Sequence, residues 1–206
     1  MSGTADLEDR IHARSERLHA LAAAVHEAFG SGARTMLSPN SPRDALRDLR
    51  ACLDAVPAAH AVIVGGLALQ ELGHERWTRD INLLADAAHF REVLDALRAG
   101  GFELSAERTL RHRATGVEVD LLKEGVTLRG GRLPLPHPRE LGPNRGTATL
   151  SGLLRLKLDS PRLQDQADIV ALIKKRGVEV LAARAALPAE LHALLDALFA
   201  QAEREA

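Results

Sequence analysis

The chain has 206 residues, a formal net charge of -1 and an apolar content of 46%, enough for one globular domain or one domain with a helical appendage. With 2% aromatic residues and no Tyr, it lacks both the positive field and the stacking platform of a generic nucleic-acid binder. Its single cysteine, Cys52, excludes an intramolecular disulfide and a multi-cysteine zinc site. No signal peptide and no apolar run of ~20 residues is found, so we expect a cytoplasmic protein without membrane contact.

The N-terminal part of the sequence is predicted to be helical. Residues 4–29 carry an apolar stripe at helical spacing. The predicted helix ends at Gly30-Ser31-Gly32. Ser41 and Pro42 then provide a capping side chain and a proline at the first helical position. A second helix is expected to run to about Val56. We assign residues 1–56 to an N-terminal helical segment.

A glycine pair at Gly65-Gly66 is the first feature that indicates a binding site. It follows a short buried strand over residues 60–64 and precedes the opening of a helix over residues 67–72. Glycines at such a junction let a phosphate approach the backbone, where the unpaired N-H groups at the helix start favour an anion. The sequence therefore predicts a nucleotide-phosphate site.

The next strand, over residues 76–84, supplies an acid to the same place. Side chains alternate along a strand. One face is therefore expected to carry Arg76, Thr78, Asp80 and Asn82, and the other Trp77, Ile81 and Leu83. Asp80 is predicted to point to where a metal-bound phosphate would lie.

The rest of the chain completes a mixed sheet and a helical tail. A helix is expected from Asp86 to Gly100-Gly101, and short strands over residues 102–105, 109–113 and 117–122. Residues 132–137 read as an edge strand, since Pro134 and Pro136 remove ladder donors. From Thr149 on, helices are broken at Pro161, Gly177 and Pro188. The expected fold class is α/β (α+β), with a core over residues 57–145 and a helical region over 146–206.

These motifs resemble the nucleotidyltransferase superfamily with the polymerase-beta-like fold, especially its small bacterial members related to abortive-infection (type IV) toxins. Those proteins join a Gly-Gly or Gly-Ser turn to an Asp-x-Asp or Asp-x-Glu pair and to a third Asp on a later strand. The first and third acids match Asp80 and Asp120. The segments 155–158 and 162–170 resemble the Lys-Leu and Asp-x-x-Asp helices. The resemblance covers roughly residues 58–176.

The resemblance implies a divalent-metal enzyme that uses an NTP. Asp80 would bind Mg2+ or Mn2+, and Asp120 would hold the metal and help deprotonate an acceptor hydroxyl on a protein, an RNA or a small molecule. Asp165 and Asp168 would support the site. The nucleotide contacts implied are Gly65, Gly66, Arg76, Thr78 and Lys157. The competing reading of Lys157, Asp165 and Asp168 is a surface lysine beside a helix-face acid pair.

One position departs from the family pattern. Asn82 stands where the family has its second carboxylate, and an amide oxygen offers a ligand without a charge. Glu118 lies two residues before Asp120 and so projects to the same strand face, which makes it either a substitute metal ligand or an ordinary exposed side chain. Two functions follow: a weakened nucleotidyltransferase, or a catalytically degenerate domain that binds a nucleotide or a partner protein, as in a toxin-antitoxin or regulatory component.

A basic group before the Asp120 strand has two readings as well. Arg108, Arg111, His112 and Arg113 would hold a triphosphate or an RNA backbone, or they belong to an ordinary hairpin. The sequence has no dinucleotide loop, Walker A lysine, nucleophile elbow or His-Glu-x-x-His helix. Dehydrogenase, P-loop, esterase and zincin functions are thereby excluded.

Overall fold

The computed structural model describes residues 42–57, 60–74, 78, 80–142 and 146–205. The predicted helix over residues 4–29 and the residues Arg76 and Trp77 lie outside this described part. Within it, a mixed six-stranded sheet is flanked by helices, which confirms the predicted α/β fold class. None of the described helices is both long and apolar enough to cross a membrane.

The described elements alternate between helices and strands. The helices are α1 Pro42–Asp54, α2 Gly65–Glu71, α3 Phe90–Ala99, α4 Pro138–Leu141, α5 Leu150–Leu158, α6 Leu163–Ala183 and α7 His192–Arg204, with 3-10 turns at Arg184–Ala186 and Ala189–Leu191. The strands are β1 Ala61–Val64, β2 Asp80–Ala85, β3 Phe102–Leu104, β4 Thr109–His112, β5 Glu118–Lys123 and β6 Gly146–Thr147. The strand order is β3-β4-β5-β2-β1-β6. The β2–β5 and β1–β6 pairs are parallel and the others antiparallel.

The alternation of side chains along the central strands divides the core into two layers. Ile81 and Leu83 of β2 belong to a buried cluster with Leu49 of α1 and Leu97 of α3. On the opposite face, Leu84 belongs to a second cluster that α5, α6 and α7 cover. Period-2 alternation puts Asp80 and Asn82 on the same face as Leu84, at the beginning of β2. The polar end of β2 therefore faces the C-terminal helices.

Two local features differ from the sequence prediction. Residues 132–137 form only one bridge, between Thr127 and Pro134, since prolines donate no ladder hydrogen bonds. The short elements α4 and β6 were not predicted. The predicted break at Gly177 is confirmed: two helical stretches of α6 meet across a kink with non-helical φ/ψ at Arg176 (φ -138, ψ 37). The division of the chain after residues 56 and 145 stays a prediction.

Candidate active site

The parallel pairing of β2 with β5 sets the arrangement of the acidic residues. Asp80 lies across from Glu118, and Asn82 lies across from Asp120. Paired positions on neighbouring strands point to the same face of a sheet. Asp80, Asn82 and Asp120 are all partly buried, and all three line one cleft.

Hydrogen bonds orient both carboxylates. Thr78 Oγ1 donates to Asp80 Oδ1 at 3.1 Å, and Asn82 Nδ2 donates to Asp80 Oδ2 at 3.2 Å. Thr109 Oγ1, directly across from Asp120 in the antiparallel β4–β5 pair, donates to Asp120 Oδ1 at 2.7 Å. Sequence reasoning singled out Thr78 but missed Thr109, whose only signal was its place in a strand preceding β5. Such outer-shell donors fix the geometry of carboxylates that bind metals.

The two glycines are required by contacts inside the protein. Gly65 has φ +70, and a Cβ built there would lie 3.1 Å from Asn82 Nδ2. A Cβ on Gly66 would lie 2.8 Å from both Cβ and Oγ1 of Thr78. The turn thus lets Thr78 and Asn82 approach the backbone closely. The phosphate contact inferred from the sequence stays a prediction.

The cleft between the sheet and the C-terminal helices has a volume of about 390 Å³, within the range of about 300–1,000 Å³ typical of small-molecule sites. Its polar floor comes from the glycine turn and the strand residues just described. The other walls come from the loop over residues 128–136 and from α5 with the start of α6. Asp159 holds that loop, since its carboxylate accepts the backbone N-H groups of Arg132 and Leu133 at 2.9 and 3.1 Å.

Lys157 occupies a buried position at the edge of the cleft. It is 5% exposed, and its Nζ donates to Asp165 Oδ1 at 2.6 Å and to Asp168 Oδ2 at 2.7 Å. Asp165 also accepts from Ser160 Oγ and Arg162 Nε, each at 2.6 Å. Lys157 is therefore not the surface lysine of the competing reading. It joins α5 to α6 and lines the cleft with Asp165.

Three arginines that the sequence analysis did not single out line the cleft: Arg129, Arg155 and Arg162. Arg155 Nη1 donates to Glu140 Oε2 at 2.6 Å, which lowers the pKa of Glu140 against the opposing effect of burial. Arg155 Nε is buried and has no hydrogen-bond partner among the described residues. Guanidinium groups are the usual partners of phosphates, so these residues are candidate phosphate contacts.

The other proposed ligands lie elsewhere. Glu118 does not line the cleft, and its Oε1 accepts from Arg111 Nη2 at 3.0 Å in a solvent-exposed contact between β5 and β4. Arg113 pairs with Glu103 at 2.6 Å, and His112 is buried against Phe102. These contacts favour the ordinary-hairpin reading of the basic group. Arg76 lies outside the described residues.

The carboxylate ligands in the cleft suit one divalent ion. Mg2+ is usually held by one or two carboxylates together with substrate phosphates, and Asp80 and Asp120 provide the carboxylates. Asp80, Asp120 and Glu118 do not gather as a three-residue ligand set within 4.8 Å in the part of the chain that the structure describes. The arrangement therefore fits a one-ion site with an amide neighbour, Asn82.

Three solved structures resemble this chain at 15–20% sequence identity. No family profile matches, and no curated protein matches. The solution structure of the antibiotic-resistance factor ANT(2'')-Ia is similar at 15% identity and a TM-score of 0.43, covering 81% of this chain and 97% of that one. Its crystal structure with adenylyl-2''-tobramycin gives 15% identity and a TM-score of 0.39, covering 79% and 98%. The Cid1 poly(U) polymerase gives 20% identity and a TM-score of 0.31, covering 65% of this chain and 40% of that one.

Proposed function

We propose that this protein is a nucleotidyltransferase, which transfers a nucleoside monophosphate from an NTP to an acceptor hydroxyl. One observation carries the proposal: Asp80 and Asp120 lie on adjacent strands, are oriented by hydroxyl donors, and share a cleft with three arginines. Phosphoryl transfer needs carboxylates that bind divalent ions and, beside them, cationic side chains that bind the phosphates.

Asp80 and Asp120 are assigned to hold Mg2+ or Mn2+, with the amide oxygen of Asn82 as an uncharged neighbour. When bound, the divalent ion neutralises charge on the triphosphate and lowers the pKa of the acceptor hydroxyl. Asp120 receives the hydroxyl proton. The acceptor oxygen then bonds to the α-phosphorus of the NTP while the bond to the pyrophosphate oxygen breaks, so that pyrophosphate leaves.

The arginines are assigned to the phosphates. Arg155 Nε has no hydrogen-bond partner in the described part of the chain, and a buried donor without a hydrogen bond is costly, so a phosphate oxygen would satisfy it. Arg129 and the Gly65-Gly66 turn complete the phosphate contacts. We assign Lys157 a positioning role, because Asp165 and Asp168 accept two of its three N-H groups.

One contact favours the second function, a degenerate domain that binds a nucleotide or a partner protein. The Asn82 amide donates to Asp80 Oδ2. A carboxylate at position 82 would instead add a second charged metal ligand. The amide therefore both removes one negative charge and occupies an oxygen that an ion would use. On this basis we expect transfer by the natural protein to be weak and to prefer Mn2+, which tolerates poorer geometry.

The decisive experiment combines a transfer assay with calorimetry. The protein is incubated with each labelled NTP and Mg2+ or Mn2+, and pyrophosphate release and self-labelling are measured. We expect Asn82→Asp to tighten divalent binding and raise the transfer rate, since it restores a charged ligand, and Asp80→Ala to abolish both. Asn82→Ala is the matched control, since it removes the amide without adding charge.

The outcomes separate the two functions. NTP binding without transfer in both the natural protein and Asn82→Asp would establish the binding domain instead of the enzyme. Equal divalent affinities for the natural protein, Asn82→Asp and Asp80→Ala would show that the acidic face binds no metal, and would overturn the proposal. Strong Mg2+-driven turnover by the natural protein would show that Asn82 serves as well as a carboxylate.

A further inference from the structure

A second group of metal-ligating side chains lies at the far end of β1 and β2 from the cleft. His60 precedes β1 and Asp86 follows β2. The Asp86 N-H donates to the His60 carbonyl at 2.9 Å, which extends the antiparallel ladder beyond the Ala61–Ala85 pair. The glycine turn and Asp80 lie at the other ends of these strands, so the two places are distinct.

His89 joins this pair from the residue just before α3. Its backbone N-H donates to Asp86 Oδ1 at 2.6 Å, and its ring Nδ1 lies 2.8 Å from Asp86 Oδ2. Its ring stacks on that of His60, with centroids 3.6 Å apart and planes 11° apart. One ligand atom from each of the three residues lies within 4.8 Å of the others.

One side chain in this group has an unmet need. His60 Nδ1 is buried and makes no hydrogen bond with the described residues; the carboxylate oxygen recorded near it, Glu92 Oε2, is 4.0 Å away. A buried ring nitrogen without a partner is destabilising. Asp86 is only 3% exposed and accepts from the backbone N-H and the ring of His89. A cation between them would give His60 Nδ1 a partner and add positive charge beside a buried carboxylate.

We propose that His60, Asp86 and His89 bind a divalent transition-metal ion, with Zn2+ as the best match. Two imidazoles and a carboxylate are donors of the kind that Zn2+ takes, whereas Mg2+ and Ca2+ take oxygen ligands. Tetrahedral ligands at the usual Zn2+ distances lie about 3.3 Å from one another. The two rings tilt from their stack toward the ion to reach this spacing. Water fills the fourth position, because His89 is 42% exposed at its side chain.

His137 lies beside this carboxylate and outside the ligand set. Its Nδ1 accepts the Arg139 N-H at 3.1 Å. Its Nε2 lies 3.7 Å from Asp86 Oδ2, which is too long for a hydrogen bond. The ion would tie the start of β1, the end of β2 and the start of α3 together, and so stabilise the sheet.

The test uses the full-length protein with Zn2+ and with Co2+ as a spectroscopic substitute. We expect a rise in the unfolding temperature with Zn2+ and a visible Co2+ spectrum typical of four-coordinate geometry. His60→Gln and His89→Gln are expected to lower the affinity roughly 10-fold or more, since loss of an outer partner alone costs about that much. His192→Gln is the matched control, because that ring lies in α7, outside the proposed site, and hydrogen-bonds to the Leu187 carbonyl at 3.1 Å.

Two further controls separate this site from other side chains that could take a metal. Asp80→Asn is expected to retain the Zn2+ affinity, which distinguishes the site from the proposed catalytic cleft and keeps its test independent of the transferase proposal. Three histidines, His12, His19 and His26, recur every seven residues in the sequence before the described part of the chain. Their triple change to Gln is expected to retain the affinity too. Loss of binding in either control, or full affinity in both His60→Gln and His89→Gln, would overturn the proposal.

X-ray absorption of the natural protein with one equivalent of Zn2+ gives a result that does not depend on variants folding. Two imidazole ligands with oxygen in the remaining positions are expected. An all-oxygen shell, or no bound Zn2+ after gel filtration, would overturn the proposal.

Discussion

Thr78 fills the space that a side chain on Gly66 would need. A Cβ at Gly66 would lie 2.8 Å from Thr78 Cβ and Oγ1, and the same Oγ1 donates to Asp80 Oδ1 at 3.1 Å. Gly66 therefore affects Asp80 through Thr78. Because Gly66 has no side chain, Thr78 can take the position from which it orients the Asp80 carboxylate.

Gly66→Ala is accordingly expected to weaken divalent-dependent NTP binding. The new methyl displaces Thr78, and Asp80 loses the donor that orients it, which for an outer partner costs roughly 10–100-fold in metal affinity. Calorimetric titration with Mg2+ and NTP measures the change. Gly177→Ala is the control, because a Cβ there meets nothing within 4 Å. Unchanged affinity in Gly66→Ala would contradict this role for Thr78.

Local order in the sequence predicted part of the candidate site. Strand alternation and the glycine pair identified the face that carries Asp80, and the family resemblance added Asp120. Contacts between distant segments were not visible in the same way. Asp86 meets His60 through the β1–β2 register, and Arg129 reaches the cleft through a loop with no repeating pattern. Such contacts depend on tertiary packing. Hydrophobic periodicity and turn residues give information on local structure alone, so they do not predict these contacts.

The burial of Lys157 also depends on tertiary packing that the sequence patterns do not show. It leads to a prediction about stability. Lys157→Met is expected to lower the free energy of unfolding by about 3–5 kcal/mol, because it removes the lysine charge that the buried carboxylates of Asp165 and Asp168 share. Lys174→Met is the matched control: its pair with Glu205 is exposed at 39% and 45%, and such pairs contribute about 0–1 kcal/mol. Urea unfolding compares the two. Equal, small losses would show that Lys157 does not stabilise the α5–α6 contact.

The pKa of Asp165 gives a pH dependence with a definite sign. Burial raises this pKa, but hydrogen bonds from Lys157, Ser160 and Arg162 outweigh burial and hold it below its ordinary value. A carboxyl whose pKa is lower in the folded state stabilises the fold above its unfolded pKa, about 3.9. This contribution is lost as the pH falls through the folded pKa.

The natural protein is therefore expected to lose stability more steeply below about pH 4 than Asp165→Asn, which has no proton to gain there. Urea unfolding at a series of pH values gives the two slopes. Between pH 6 and 8 the slopes should agree, because Asp165 stays ionised in both the folded and the unfolded states. Parallel curves down to pH 3 would mean that the Lys157 network does not lower this pKa.

Helices α1 and α3 meet where Gly100 faces Cys52. A Cβ on Gly100 would lie 2.0 Å from Cys52 Sγ, and Cys52 is only 6% exposed, so the sulfur has little room to move. Gly100→Ala is expected to lower the free energy of unfolding by about 1–3 kcal/mol, the usual range for overpacking.

Removal of the Cys52 sulfur should recover part of the stability that Gly100→Ala loses. Gly100→Ala/Cys52→Ala is therefore expected to be more stable than the sum of the two single changes predicts, with a coupling of about 0.5–3 kcal/mol. Urea unfolding of the four proteins in the cycle measures it, and strict additivity would show that the two residues do not compete for the same space.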